Sequence, residues 1–291
     1  MSAEKENIEL KSLVSLIDEP DNMIYKQIRE KLITYGVEAV PFLEEAWEKT
    51  FDNIIQKRIE SLIHNLQFDN VLFQLKKWYL LGGTDLLSGF IILTKYQYPD
   101  LDEEKIIKQI GKITQDVWLE LNDNLTALEK IKIINHVFYN IHGFKGNKQN
   151  FHAPQNSYIN NLLETKKGNP LSLSILYSIV AQGLKVPIYG VNLPEHFILS
   201  YTDDIIHDFK KIKEPTVLFY INAFNKGTVF SLKELHLFLK QLKLKPNEAY
   251  FTPCDNIQII KRLIYNLTTA YEKLGYPDKI SELEKLLAVL D

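Results

Sequence analysis

Cysteine is nearly absent: the chain of 291 residues has one, Cys254. A single thiol excludes an intramolecular disulfide and fits a reducing compartment. An excess of one charge is also missing. The 34 Lys and Arg against 37 Asp and Glu leave a net charge of −3, with no broad basic face of the kind nucleic acid requires. Long apolar runs are lacking too. The longest, Leu86 to Leu93, is broken by Ser88 and Gly89 and is far too short to cross a bilayer. Met1 to Asn7 is charged and holds no apolar stretch of the kind a secretory signal needs. The seven histidines are scattered, and His136 and His142 have the wrong spacing for one helical face. No glycine-rich phosphate loop occurs, because Gly82-Gly83 follows no strand. These absences predict a cytoplasmic protein with no metal, no cofactor, and neither nucleic acid nor membrane as partner. What remains, 45% hydrophobic and 24% charged, is the composition of an ordinary globular chain, here long enough for one large or two to three small domains.

The first third reads as helices. Leu10, Leu13, Val14 and Ile17 give a one-sided helix that stops near Pro20. Asp21 or Asn22 caps a second, with Ile24, Tyr25, Ile28, Leu32 and Ile33 inward. After Gly36, Ala39-Val40-Pro41 opens a third to about Lys49. Asp52 to Leu66 and Asn70 to Leu80 read as two more. This helix–Gly–helix order, with a Val-Pro start, is similar to a HEAT-type repeat; the alternative is a plain helical bundle covering the rest. Gly82-Gly83 marks a boundary, with Thr84 as the next cap. Helices are expected at Asp85–Thr94, Glu103–Leu119 and Ala127–Asn140, then a loop from Gly143 to Gln155, then a helix capped by Asn156 or Ser157.

The stretch from Ser157 to Gly227 carries the motifs. Gly168 is expected in the left-handed position that ends a short helix after Lys166 and Lys167. Asn169 is a strong N-cap and Pro170 suits the first helical position, so a helix should run from Pro170 to about Gln182. Its apolar residues point to several faces, which makes it a buried helix. Beyond Gly183 the period changes. Pro187–Val191, His196–Tyr201, Ile205–Phe209 and Val217–Phe224 are β-branched or aromatic runs that read as antiparallel strands. A buried helix on such a sheet, with a His early in one strand, is the arrangement of Cys-His-Asp acyl-transfer enzymes. Ser231 and Glu234 form a capping box that opens a helix to Lys240. Pro246 to Cys254 is a linker, and Asp255–Leu274 with Pro277–Leu290 makes a closing hairpin.

The segments Lys167-Gly168-Asn169-Pro170-Leu171-Ser172-Leu173-Ser174 and Gly190-Val191-Asn192-Leu193-Pro194-Glu195-His196-Phe197 resemble the paired signatures of the transglutaminase-like superfamily. The likeness is to its SirB-type branch, over roughly residues 85–239. The resemblance implies a papain-like fold: α+β, mostly helical, with a small antiparallel sheet. On it, Pro170 falls where an active member carries its Cys, His196 matches the catalytic His, and Asn222 falls where the third residue, Asp, would be. Proline has no nucleophile, and Asn removes the charge that stabilises an imidazolium while still able to orient a His. Glu195 departs from the Gly usual in the branch.

Three divisions are therefore expected: a HEAT-like segment over 1–83, the transglutaminase-like core over 84–245, and a hairpin over 246–291. Asn266, Tyr271, Gly275 and Lys279 of that hairpin resemble a tetratricopeptide-like unit. The leading expectation for function is a catalytically inactive domain that binds a protein or peptide, with Asn169, Ser172, Asn192, Glu195, His196 and Asn222 as polar candidates around the ligand. The alternatives are an amide-processing hydrolase with a relocated nucleophile near His196, and a purely structural adaptor. As replacement nucleophiles Ser172 and Ser174 are ill-placed, Ser172 lying about 200° around the helix from Pro170. Cys254 sits near a helix N-terminus, which favours a thiolate, but Asp255 opposes it.

Overall fold

Asp21 opens the helical order of the N-terminal region by accepting from the amides of Met23 and Ile24. The structure, a computed structural model, describes residues 2–194, 196–206, 209, 217–244 and 247–291. Glu195, His207, Asp208 and Pro246 lie outside the described residues. The chain divides into two units, 1–76 and 77–291. The first is built from α1 (Ser2–Val14), α2 (Asn22–Tyr35), α3 (Val40–Lys49) and most of α4 (Asn53–Leu80). Its core is a cluster of Leu10, Leu32, Leu43, Ile59 and Leu62. Arg58 donates to the carbonyls of Ile17 and Glu19 at 3.1 and 2.9 Å and lies over the Tyr25 ring. It thereby satisfies carbonyls where the chain leaves α1. The expected break between Leu66 and Asn70 is absent. Gln67, Phe68 and Asp69 include neither Gly nor Pro, so the helix continues through them as one element.

The second unit begins with α5 (Leu86–Lys95), α6 (Glu103–Glu120) and α7 (Ala127–Asn135). The cap of α5 is Asp85, not Thr84: its carboxylate accepts from the amides of Leu87 and Ser88. The α-helix expected to reach Asn140 ends at Asn135 and widens into a π-helical turn over His136–Ile141. Then follow β1 (Lys145–Gly146), α8 (Ile159–Thr165), β2 (Lys167–Gly168), which pairs with β1 in parallel, and α9 (Pro170–Gly183). Asn156 and Ser157 do not cap α8; they form a 3₁₀ turn, and Tyr158 precedes the helix without a side-chain cap. Around α9, Leu171, Leu173, Ile175, Leu176, Tyr177 and Val180 are all buried.

Four strands make the sheet, β3 (Ile188–Leu193), β4 (His196–Thr202), β5 (Val217–Asn222) and β6 (Thr228–Phe230), paired antiparallel in that order. Val191 faces Ile198 and Leu199 faces Ile221 across the ladders. One face carries Val191, Leu193, Ile198 and Tyr220 against Leu235 and Leu239 of α10 (Leu232–Gln241). The other, with Leu199 and Ile221, meets α9 and α11 (Asn256–Leu274). α12 (Pro277–Ala288) closes the chain against α11. The expected strand at Ile205–Phe209 is not formed at its described positions. The Ile206 amide instead donates to the Tyr189 hydroxyl at 2.7 Å, so a side chain takes the place of a ladder partner. The fourth strand, Thr228–Phe230, is too short to have stood out by period.

The β5–β6 turn is fixed from behind. Tyr177 of α9 donates to Asn135 Oδ1 at 3.0 Å, and Asn135 Nδ2 donates to the Gly227 carbonyl at 2.9 Å. Tyr139 of the π-helical turn donates to the Ala223 carbonyl at 2.7 Å. Gly227 has φ +67°, and a Cβ there would lie 1.9 Å from Asn135 Oδ1. Left-handed strain and overlap act together, so Gly227→Ala is expected to lower unfolding free energy by about 2–4 kcal/mol. Urea denaturation followed by circular dichroism measures this; a change under about 0.5 kcal/mol, the ordinary range of surface substitutions, contradicts it.

Candidate functional site

The N-terminus of α9 is built by one asparagine. Asn169 Oδ1 accepts from the Ser172 amide at 2.8 Å, and the Ser172 hydroxyl accepts in return from the Asn169 amide at 3.1 Å. Asn169 Nδ2 donates to Ser157 Oγ at 3.0 Å, tying the 3₁₀ turn before α8 to the start of α9. Pro170 therefore occupies the first helical position. The left-handed residue after α8 is Lys166, with φ 58°, not Gly168. Gly168 is needed for space: a Cβ there would meet Ser172 Oγ at 2.6 Å and Leu162 Cδ1 at 2.8 Å. Asn169 and Ser172 are buried, and their polar atoms are spent on this cap.

His196 opens β4 opposite Leu193, half-buried, its ring edge-on to Phe238 of α10 with centroids 5.0 Å apart. Asn222 ends β5. Leu199 pairs with Ile221, so Asn222 falls beside Ile198, and His196 and Asn222 share a sheet face one diagonal step apart. The Asn222 carboxamide oxygen accepts from the Asn225 amide at 3.1 Å and so shapes the turn after β5. Asn192, facing Phe197, has its side-chain oxygen Oδ1 buried with no hydrogen-bond partner among the described residues. An unmatched buried acceptor costs about 1–3 kcal/mol.

A cavity of about 670 Å³ joins these parts. Asn169, Pro170 and Leu171 form one wall and His196 with Phe197 another; Phe151, His152, Ala153 and Ser157 close one end. Asn222 and Asn192 are not among the described residues that line it. The remaining wall is a flank of α11: Arg262, Tyr265, Asn266, Thr269, Ala270 and Lys273. Sequence reasoning missed that wall. The buried stripe of α11, Ile259, Ile260, Leu263, Ile264 and Leu267, is read easily from its period. Arg262, Asn266, Thr269 and Lys273 recur at the same spacing alongside it, and that polar stripe was the available signal.

The Ser157 hydroxyl and the chain's one thiol are poor nucleophiles as placed. Ser157 is buried and accepts from Asn169. Cys254 is buried, its amide donates to the Gly190 carbonyl at 2.8 Å, and burial, then the neighbouring Asp255, pushes its thiol up to about 12. At neutral pH it is therefore protonated and screened.

The sequence profile of the transglutaminase-like superfamily matches residues 104–265, from α6 into α11. That is more than half of the chain, which belongs to this superfamily. Among individual proteins, the UPF0162 protein of Xylella fastidiosa (strain Temecula1) is 26% identical over 192 residues, covering 64% of this chain and 64% of that protein. The UPF0162 protein of Vibrio cholerae is 26% identical over 191 residues, 64% of this chain and 66% of its own length. F-box only protein 21 of Mus musculus is 30% identical over 142 residues, 49% of this chain but 22% of the mouse protein. The chain thus spans just under two thirds of these bacterial relatives and under a quarter of the mouse one. No solved structure gives a significant match.

Cys254 and position 170 should differ in reactivity. In Pro170→Cys the new thiol lies in the cavity wall at a helix N-terminus, which favours the thiolate. Iodoacetamide at pH 8 is expected to label it at least about tenfold faster than Cys254, read by mass spectrometry. Because folding raises the Cys254 pKa, its contribution to stability is present below the ordinary 9.0 and is lost as pH rises towards about 12. Cys254→Ala should remove that slope from the pH dependence of urea unfolding.

Proposed function

We propose that this chain is a catalytically inactive transglutaminase-like domain of the SirB-type branch, whose cleft binds a peptide or protein segment. The observation that carries the reading is Pro170. It stands where an active member carries its cysteine, opens the central helix, and lines the cavity with no atom able to attack a carbonyl. Asn222 in place of an acid supports the same reading, since a neutral amide cannot stabilise an imidazolium at His196. An open cavity of about 670 Å³ supports binding over a purely structural adaptor, which has no use for one. Part of the same proposal is a three-part cytoplasmic protein: a HEAT-like segment over 1–83, the core over 84–245, and a tetratricopeptide-like hairpin over 246–291.

Purified protein should show no transamidase, protease or amidase turnover above buffer with amine–glutamine, peptide and ester substrates. Peptides selected from a displayed library should bind, and Thr269→Trp, an exposed site on the α11 wall, should weaken them at least about tenfold, equal to about 1.4 kcal/mol. Turnover that disappears in His196→Ala while circular dichroism is unchanged overturns the reading.

A further inference from the structure

The polar stripe of α11 is unengaged. Among the described residues, Arg262, Tyr265, Asn266, Thr269 and Lys273 have no hydrogen-bond or ion-pair partner, although all five line the cavity. Arg262 is half-buried, and burial lowers its pKa from the ordinary value; at any physiological pH it remains a cation. A desolvated guanidinium without a counter-charge is unfavourable in the empty cleft and gains most from a ligand that brings one. The described lining residues include no carboxylate, and the imidazoles of His152 and His196 can each donate a hydrogen bond. The two fixed charges stand at opposite ends of the stripe. From 262 to 273 an α-helix rises about 16 Å, the length of about five residues of extended chain.

Resting on the cleft-binding reading above, we infer that the cleft takes an extended acidic peptide, with one anionic group at Arg262 and a second, about five residues away, at Lys273. Asn266 and Thr269 lie between the cations and offer hydrogen bonds to the peptide backbone, while Tyr265 and Phe197 offer apolar surface to the intervening side chains. Bidentate pairing suits Arg262 to a carboxylate or phosphate, whereas Lys273 acts as a point charge.

Fluorescence polarisation on the full chain tests this with labelled hexapeptides of one alanine framework, bearing Asp at both ends, or Asn, Lys or phosphoserine in its place. The Asp peptide should bind at least about tenfold more tightly than the Asn peptide, the Lys peptide should not bind, and affinity should fall with salt. Arg262→Gln and Lys273→Gln should each weaken the Asp peptide at least about threefold, and Asn266→Asp, which adds a like charge without changing shape, should do the same. Thermal melts of these variants should match the parent, which separates binding from folding. Tighter phosphoserine binding, with inorganic phosphate competing only at millimolar levels, assigns the anion to a phosphorylated peptide; Asp and phosphoserine equal assigns it to a carboxylate. Displacement by micromolar phosphate overturns the peptide in favour of a free anion. Equal binding of Asp and Asn peptides, abolished by Thr269→Trp, overturns the charge inference while leaving the cleft reading intact. If Thr269→Trp alters the binding of no peptide, library-selected ones included, the cleft reading fails and this inference with it.

Discussion

Burial of α9 on every side is the constraint from which the second unit follows. A helix whose Leu173, Ile175, Leu176, Tyr177 and Val180 have no exposure cannot rest on one surface. It needs a sheet on one flank and helices on the others, and it has β3 and β4 together with α5, α6, α8 and α11. Each leucine-sized side chain removed from water stabilises the fold by about 1.5–3 kcal/mol, so the helix anchors its neighbours as much as they cover it. Where such a helix must contain polar atoms, they are satisfied locally or through long-range partners. Tyr177 reaches Asn135, and through it the Gly227 turn. Ser174 and Ser178 have buried hydroxyls with no partner among the described residues, a local cost that the surrounding packing outweighs.

The end of α9 is where this burial stops. Asn169 closes the helix start through three hydrogen bonds shared with Ser172 and Ser157, and Asn169, the Pro170 ring and Leu171 face the cavity. Across the space stand His196 and the polar flank of α11. The site thus sets the Pro170 ring and the His196 imidazole on two walls of one cavity. The polar groups on the α11 side are distributed along a helix rather than gathered at one point.

Asn222 and Gly227 tie the sheet to the same helix. The turn they bracket is held by Asn135, the last residue of α7, and by Tyr139 of the π-helical turn that follows. A π-helical turn shifts the side chains beyond it around the axis relative to a regular helix, a device often found next to functional sites. Here it directs Tyr139 to the Ala223 carbonyl, one residue beyond Asn222, whose own side chain shapes the turn. Residues distant in sequence therefore set the place of Asn222 relative to His196.

Local chemistry was legible in the sequence wherever a few adjacent residues decide the outcome. Asn169-Pro170 capped and opened α9, Ser231 and Glu234 closed their capping box, and the strands holding His196 and Asn222 were read from β-branched and aromatic runs. The motif pair also placed the chain in its superfamily before any fold was visible. Elsewhere two neighbours competed, and geometry chose: Asp85 over Thr84, because its longer carboxylate spans two amides, and Lys166 over Gly168, because Gly168 was required for contact with Leu162 and Ser172. The absence of a strand at Ile205, the three-residue β6 and the continuity of α4 depended on partners or on the lack of a breaker, which hydrophobic period does not encode. The α11 wall was the furthest from reach. Arg262 and Lys273 are ordinary polar positions on an amphipathic helix until that helix packs beside α9, some ninety residues earlier in the chain. The sequence by itself determined which helix would be buried, how it would start and that its first residue could not act as a nucleophile, because caps, proline geometry and side-chain chemistry are local. Only the tertiary structure decided what faces that residue across the cavity, because the meeting of α9, β4 and α11 is set by the packing of apolar surfaces that no local pattern specifies.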